Sequence, residues 1–168
     1  MASDFPLQVR KKLAQSLILP AFDYAPLAYC DLNSDQTTRL QKAQNAAVRF
    51  TKRLKLDDHV TPHYRELKWL KIGEKKKLAL AIMTFKILKF RKPAYIHSKF
   101  KFMSDIHTIG TRNVQKIIQI PKHATSIYNR SFMVQAIKLY NEHADYFNLN
   151  LTVNAFKNNF MELLLREL

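Results

Sequence analysis

A run of basic side chains between residues 39 and 55 is the clearest chemical feature of the sequence. The run contains no Asp or Glu, whereas a solvated helix face usually carries charges of both signs. At about 100° per residue, three of the cations fall within about 40° of one another on a helix and form one stripe. The stripe consists of Lys42, Arg49 and Arg53, with Arg39 and Lys52 beside it. This pattern favours contact with phosphate groups over a merely solvated face.

The stripe belongs to a helix predicted to begin at Asn33 or Ser34 and to continue to about Leu56. Either residue is a favourable N-cap, and Asp35 places an acid in the first turn. Apolar residues recur at steps of three and four, which predicts that they face the core. They are Leu40, Ala43, Ala47, Phe50 and Leu54, while the amides Gln41 and Asn45 are predicted to lie among the cations of the opposite face.

A second basic group, Lys75, Lys76 and Lys77, precedes the most apolar segment of the chain. The helix predicted from Glu74 to Arg91 places these lysines at the positive end of its dipole, beside unpaired backbone N–H groups. That placement is unfavourable unless an anion such as a phosphate lies nearby. Three solvated lysines on a loop explain the same residues equally well. The cations at the other end of this helix are ordinary partners of its negative end.

The segment from Leu78 to Leu88 is apolar except at Thr84 and Lys86, which predicts a helix buried by neighbours on several sides. The 168 residues contain only two glycines and long runs of good helix formers, so the chain is predicted to be all-α. The expected architecture is a single compact multi-helix domain around this buried central helix, with one irregular stretch near residues 103–125.

Residues 1–102 are predicted to form a helical core, and residues 103–168 a loop with a C-terminal helical pair packed on that core. The first helix, from Pro6 to Leu19, is expected to bury its apolar residues and expose its cations. The buried set is Val9, Leu13, Leu17 and Leu19, and the exposed set is Arg10, Lys11 and Lys12. Farther along, residues 116–120 are expected to be extended, and Thr152 to cap the last helix.

The net charge of +15, from 28 Lys and Arg against 13 Asp and Glu, exceeds what solubility requires and indicates a polyanionic partner. Nucleic acid is the first candidate. An anionic membrane surface is a weaker one, and the apolar centre of the central helix is too short to span a bilayer. The single cysteine, Cys30, excludes an intrachain disulfide and a Cys-based zinc site. No signal peptide is recognisable, so an intracellular location, nuclear or cytoplasmic, is expected.

The sequence contains no constellation that supports catalysis. It has no Gly-rich phosphate loop, no nucleophile elbow and no Cys–His pair in a recognisable context. His59 and His63 have the spacing of paired metal ligands, but Pro62 lies between them and no third ligand is evident. Asp57 and Asp58 are adjacent and are better explained as loop residues than as metal ligands. We therefore expect no enzymatic activity, no cofactor and no metal site.

Several short sequence blocks, distributed over nearly the whole chain, each resemble a segment of one known protein family. They are Ser16–Tyr24, Leu40–Arg49, Glu66–Ile72 with Phe85–Leu88 and Pro93–Ile96, and Ile120–Lys122 with Arg130–Phe132 and Leu139–Asn141. In this order they resemble the region after the catalytic palm in reverse transcriptases of non-LTR retrotransposons. There the blocks read SLILPHFDY, LQKxQNxAxR, ELGWLPI…FKIL…PxYL and IPK…RSF…LWNxLP. The chain departs from the family at Tyr140, where Trp is usual, and at Glu142-His143, where Leu-Pro is usual.

The resemblance implies a thumb-like helical domain that contacts a template–primer duplex through its backbone. It also implies that polymerase activity is absent, because the family's Tyr-x-Asp-Asp turn, which holds the metal ions, does not occur. The pair Asp57-Asp58 follows Leu56 and lies downstream of the block at residues 40–49. The chain is expected to be either a fragment of a larger enzyme or a host protein made from a degraded retrotransposon.

These observations predict sequence-independent binding of RNA or of an RNA–DNA duplex. The phosphate contacts are assigned to Arg39, Lys42, Arg49, Lys52, Arg53, Lys75, Lys76 and Lys77. The alternative is a retrotransposon-derived host protein that docks an acidic protein partner with the same basic face and acts as a regulator or inhibitor.

Overall fold

The computed structural model describes residues 5–24, 27, 32–106, 117–122 and 124–168. Within these ranges the regular secondary structure is helical, and the only β-type pairing seen there is one isolated bridge. The predicted all-α fold is therefore confirmed. Cys30 and, within the predicted irregular stretch, residues 107–116 and 123 lie outside the described residues.

The described residues form a series of helices along the chain. They are α1 (Leu7–Leu13), a π-helical turn (Ala14–Ile18), α2 (Leu19–Asp23), α3 (Ser34–Lys52), α4 (Thr61–Leu67), α5 (Ile72–Phe90), α6 (Ala94–His97), α7 (Met103–Ile106), α8 (Ser126–Asn129), α9 (Phe132–Glu142), a 3-10 turn (Ala144–Tyr146) and α10 (Val153–Glu167). The chain groups into two compact units: unit 1 holds residues 1–76 and 164–168, and unit 2 holds residues 77–163. The proposed packing of residues 103–168 on residues 1–102 stays a prediction.

α3 begins as the sequence predicts. The Asn33 side chain accepts a hydrogen bond from Gln36 N (2.8 Å), and the Gln36 side chain accepts one from Asn33 N (3.1 Å), which together form a capping box. The helix ends at Lys52, earlier than the predicted end near Leu56. It ends there because Arg53 turns the chain and Leu54 N then donates back to Arg49 O (3.1 Å).

Three helices end on a basic residue in the left-handed conformation. Arg53 follows α3 and Lys68 follows α4, each with a φ of 56°, and Arg91 follows α5 with a φ of 55°. Glycine is the commonest residue at such positions because it has no Cβ to clash with the backbone. In this chain arginine and lysine take its place.

The core of unit 1 joins the N-terminal helices to α3 and α4. Its buried residues are Ala14, Leu19, Val48, Val60, Tyr64, Leu67 and Trp69. The inner face of α3 differs from the predicted one, since Gln44, Ala47, Val48 and Thr51 are buried and Ala43 and Phe50 are exposed. Leu40 and Leu54 are half-buried. The inward face of α3 is therefore partly polar, and the apolar spacing alone misplaced it.

The prediction for the first helix is wrong at Arg10, Val9 and Leu17. Arg10 is buried, and its guanidinium donates from Nε to Phe5 O and from Nη1 to Phe50 O, both at 3.1 Å. These two carbonyls offset the cost of removing the guanidinium from water. Val9 and Leu17 are exposed instead. Leu17 lies within the π-helical turn Ala14–Ile18, whose wider winding changes the direction of its side chain from the one that a period of 3.6 residues gives.

The part of α5 that belongs to unit 2 is buried as the sequence predicts. Between Leu78 and Leu88 only Lys86 is exposed. The Phe85 ring stacks on Phe156 with their centroids 4.2 Å apart, and Phe147 and Phe160 extend this aromatic cluster. Stacked and edge-on rings of this kind contribute about 0.5–1.5 kcal/mol per pair beyond their buried area.

Two further local predictions are confirmed in unit 2. Ile118 forms an antiparallel bridge with Phe102, and the Asn141 side chain holds both Ile118 N and Ile118 O at 2.9 Å, so this part of residues 116–120 is extended. At the other end, Thr152 Oγ1 accepts a hydrogen bond from Ala155 N (3.2 Å) and caps α10.

Candidate nucleic-acid interface

The amide side chains of α3 form a network that fixes the start of α5. Gln44 is fully buried and donates from Nε2 to Leu70 O (2.8 Å). Gln41 Oε1 accepts a hydrogen bond from Ile72 N (3.0 Å), which is the first residue of α5. Gln41 Nε2 lies 2.9 Å from Asn45 Oδ1. The prediction that Gln41 and Asn45 stand among the outward cations is therefore wrong, because Gln41 bonds to the backbone of Ile72 and Asn45 bonds to the side chains of Gln41 and Tyr64.

Tyr64 of α4 completes the network. Its hydroxyl donates to Asn45 Oδ1 (2.8 Å) and accepts from Gln41 Nε2 (2.9 Å). Burial raises the pKa of the Tyr64 phenol far above its usual range, so the hydroxyl stays protonated and keeps its donor role. As a result, α3, α4 and the first turn of α5 are held in one arrangement within unit 1.

An anion was predicted beside Lys75, Lys76 and Lys77 for a helix that begins at Glu74 and has unpaired N–H groups there. The observed helix α5 begins at Ile72. Ile72 N donates to Gln41, Lys75 N donates to Lys71 O (2.9 Å), and the acid Glu74 lies in the first turn. Lys75 itself donates from Nζ to Asp23 Oδ1 (2.6 Å). The positive end of this helix is thus partly satisfied by the protein's own groups, and an external phosphate is not required there.

Several of the predicted phosphate-binding cations have partners inside unit 1. Arg39 pairs with Asp35 at 3.0 Å, and both side chains are exposed. Lys52 pairs with Glu66, which also lies 3.4 Å from His63 Nδ1. The hydrogen bond from Lys52, followed by that from His63, holds the pKa of Glu66 below its usual range.

Arg49 has a structural role as well. It donates from Nε to Lys55 O (3.3 Å) and from Nη2 to Leu56 O (3.1 Å), so it holds the loop that follows α3. Among the remaining predicted cations, Lys42, Arg53 and Lys77 are exposed and Lys76 is half-buried. Within the predicted stripe, Arg49 and Lys52 are therefore used in the folding of unit 1, and Lys42 and Arg53 are exposed.

A cleft of about 370 Å³ opens in unit 1 beside Arg49. Its lining mixes cations with acids, since Arg49 and Lys71 share it with Asp57 and Asp58. Asp58 accepts a hydrogen bond from Lys55 N (2.7 Å), which agrees with the loop role predicted for it. Two carboxylates in the lining make this cleft a poor receptor for phosphate on its own.

The sequence reasoning missed a longer acid-free stretch in unit 2. Between residues 77 and 104 there is no Asp or Glu, although the stretch is rich in Lys and Arg. Lys89 donates to Leu149 O (2.8 Å) and Leu151 O (2.6 Å) and is used in folding. The exposed cations of the stretch are Lys77, Lys86, Arg91, Lys92, Lys99 and Lys101. The absence of Asp and Glu between residues 77 and 104 is visible in the sequence and would have indicated these cations as candidate phosphate contacts.

Comparisons with protein-family models, with curated protein sequences and with solved structures find no match to this chain. The resemblance to a reverse-transcriptase region therefore stays a prediction. In the part of the chain that the structure describes, no helix combines the length and apolar character needed to cross a membrane.

Proposed function

We propose that this chain binds RNA or an RNA–DNA duplex without sequence preference, as a non-catalytic helical domain related to the thumb of a non-LTR reverse transcriptase. The observation that carries the proposal is the acid-free stretch between residues 77 and 104, with its exposed lysines and arginines. Such a surface attracts the regularly spaced charges of a sugar–phosphate backbone. Contacts to phosphate groups carry no sequence information, so the binding is expected to be independent of sequence.

The overall charge supports the same proposal. With 13 acids against 28 cations, the protein's own carboxylates cannot neutralise most of its positive charge. Five of the exposed cations of the acid-free stretch are called the basic surface. They are Lys86, Arg91, Lys92, Lys99 and Lys101. Within the described ranges, none of these five side chains forms an ion pair with a carboxylate. Their charges are therefore available to a partner without the cost of breaking an internal pair.

The cations predicted on unit 1 contribute to different extents. Lys42 and Arg53 are exposed, and the exposed Arg39–Asp35 pair is worth only about 0–1 kcal/mol, so a phosphate can compete with Asp35 for Arg39. The Lys52 and Lys75 side chains are only 20% and 13% exposed and have carboxylate partners. We assign them to folding rather than to binding.

The test is the salt dependence of binding, measured by fluorescence anisotropy with labelled RNA–DNA duplexes of two unrelated sequences. If the five cations of the basic surface each neutralise one phosphate, the slope of log affinity against log salt is about −4.5. The affinity then falls roughly 500-fold between 50 and 200 mM salt and is the same for both sequences.

The matched variants isolate the basic surface. Replacing Lys92 and Lys99 by Gln is expected to reduce the slope by about two units. Replacing Lys157, an exposed lysine of α10 in the same unit, by Gln is the control and should change the slope by less than one unit. An absence of binding at 50 mM salt, or an equal effect of the double variant and the control, would rule out the proposal.

A further inference from the structure

Among the described residues of unit 2, four aromatic side chains are exposed, Phe90, Tyr95, Tyr128 and Tyr146, and the first two lie in the stretch without Asp and Glu. Phe90, the last residue of α5, is 54% exposed, and Tyr95 of α6 is 71% exposed. By contrast, Phe85, Phe156 and Phe160 in the same unit are fully buried. Aromatic residues stabilise a fold by burial, so the fold itself gives no reason for placing two such rings in solvent.

Along the chain, both rings have cations of the basic surface as close neighbours. Lys86 precedes Phe90 by four residues on α5, which places the ammonium and the ring on the same side of that helix. Arg91 and Lys92 follow Phe90 directly, and Lys99 follows Tyr95 by four residues. Each ring therefore has positive charge on both sides of it along the chain, within the stretch that lacks Asp and Glu.

The connection between the two rings is short and ordered by backbone hydrogen bonds. Arg91 turns the chain with a φ of 55°, and Ile96 N donates to Pro93 O (3.1 Å) at the start of α6. Ser98 N donates to Ala94 O (2.9 Å) and closes the same turn. Because Tyr95 is only five positions after Phe90, their Cα atoms are at most about 18 Å apart. One strand of a few nucleotides can reach both rings.

We infer that Phe90 and Tyr95 are stacking platforms for the bases of single-stranded nucleic acid, while the neighbouring cations contact its phosphates. This inference rests on the proposed function and narrows it. A ring can stack only on a base whose face is uncovered, and the base faces of a continuous duplex are covered by their neighbours. Paired aromatic and basic residues are the combination that binds single strands without sequence preference. An anionic membrane is a poorer fit, because α6 is a single turn and lacks the broad apolar face of an interfacial helix.

The probe is a fluorescently labelled twelve-nucleotide oligoadenylate RNA, compared with a twelve-base-pair RNA–DNA duplex, both at 100 mM salt. Each stacking platform contributes a factor of about 5 to 150 in single-strand affinity. Replacing Tyr95 by Ala is therefore expected to weaken oligoadenylate binding at least fivefold, and replacing Phe90 as well to weaken it further. Affinity for the duplex should stay within twofold of the wild type. Tyr95→Trp keeps a stacking surface and should keep single-strand affinity within threefold.

Tyr24→Ala provides the control, since Tyr24 is a 79% exposed tyrosine that follows an aspartate rather than a lysine. Its single-strand affinity should match the wild type. If the Phe90 and Tyr95 variants bind oligoadenylate as the wild type does, while the lysine variants lose duplex binding, stacking is overturned and the proposed function remains. If the wild-type protein binds neither probe, both proposals fail. Binding to phosphatidylserine vesicles that is lost with Tyr95→Ala, without any binding to oligoadenylate, would assign the rings to a membrane and overturn the inference.

Discussion

Replacing Gln44 by Met tests whether the amide network of α3 organises unit 1. Gln44 is fully buried and donates to Leu70 O at 2.8 Å, and its Oε1 accepts a weaker hydrogen bond of 3.3 Å from Gln41 Nε2. Methionine has nearly the same length and shape but cannot make either bond. The substitution therefore removes the hydrogen bonds and leaves the packing almost unchanged.

The expected loss in the free energy of unfolding depends on which buried groups lose a hydrogen-bond partner. The Leu70 carbonyl is left in the interior without a donor, and an unpaired buried polar group costs about 1–3 kcal/mol. Gln41 Nε2 retains Asn45 and Tyr64 as acceptors, so its loss is small. The free energy of unfolding should therefore fall by about 2 kcal/mol. For a urea dependence of about 1–3 kcal/mol per molar, the urea midpoint falls by about 1 M.

The assay uses the fluorescence of Trp69, which is the sole tryptophan of the chain and lies in the core of unit 1. Its emission reports the unfolding of that unit in increasing urea. Gln8→Met, at an exposed position of α1, is the matched control and should shift the free energy of unfolding by less than about 0.5 kcal/mol. A midpoint for Gln44→Met that equals the control would refute the view that this amide is a structural element of unit 1.

Two further predictions concern one ionisable group and one aromatic ring. Because Lys52 and His63 lower the pKa of Glu66 in the folded state, the stabilisation is complete above the unfolded pKa, about 4.3, and is lost as the pH falls through the folded pKa. Glu66→Gln should therefore flatten the acid side of the stability profile, measured as urea midpoints between pH 3 and 6, and an unchanged profile would contradict this. Phe156→Ala removes a fully buried ring stacked on Phe85 and should cost about 3–5 kcal/mol in thermal unfolding followed by circular dichroism. A loss below 1 kcal/mol would show that the aromatic cluster is not the core of unit 2.

The features that the sequence predicted correctly depend on residues close together in the chain. The Asn33 capping box and the Thr152 cap each involve residues three apart, and the run from Leu78 to Leu88 is buried because almost every position in it is apolar. All the residues that determine such a local feature lie within one or two helical turns of one another, so the sequence alone reveals it. Such features gave the fold class and the central helix without any knowledge of tertiary contacts.

The errors arise where a polar side chain finds its partner far along the chain. Gln44 bonds to a carbonyl 26 residues away, and Arg10 to one 40 residues away, so both are buried despite their polarity. Lys75 meets Asp23 across 52 residues, which turns an expected phosphate ligand into a structural ion pair. Periodicity treats every polar residue as outward and has no means of anticipating such partners.

The candidate site was only partly accessible from the sequence for a similar reason. A cation stripe on α3 could be read from spacing, but the use of Arg49 and Lys52 in folding could not, because their partners lie in the following loop and in α4. The exposure of Phe90 and Tyr95 depends on where α5 ends and α6 begins. Aromatic residues are buried more often than not, and only coordinates show which ones remain outside.

The left-handed residues that follow α3, α4 and α5 have a consequence for heat resistance. A non-glycine residue in this conformation is less stable than glycine by about 1 kcal/mol, so Arg53, Lys68 and Arg91 each lower the tolerance of the fold to heating. Each also places a cation at the negative end of a helix dipole, which recovers part of that loss. Replacing all three residues by glycine is expected to raise the thermal stability of the protein. It would also remove three positive charges and so weaken the electrostatic attraction to any polyanion. The same three residues therefore add positive charge to the chain and lower the stability of its fold.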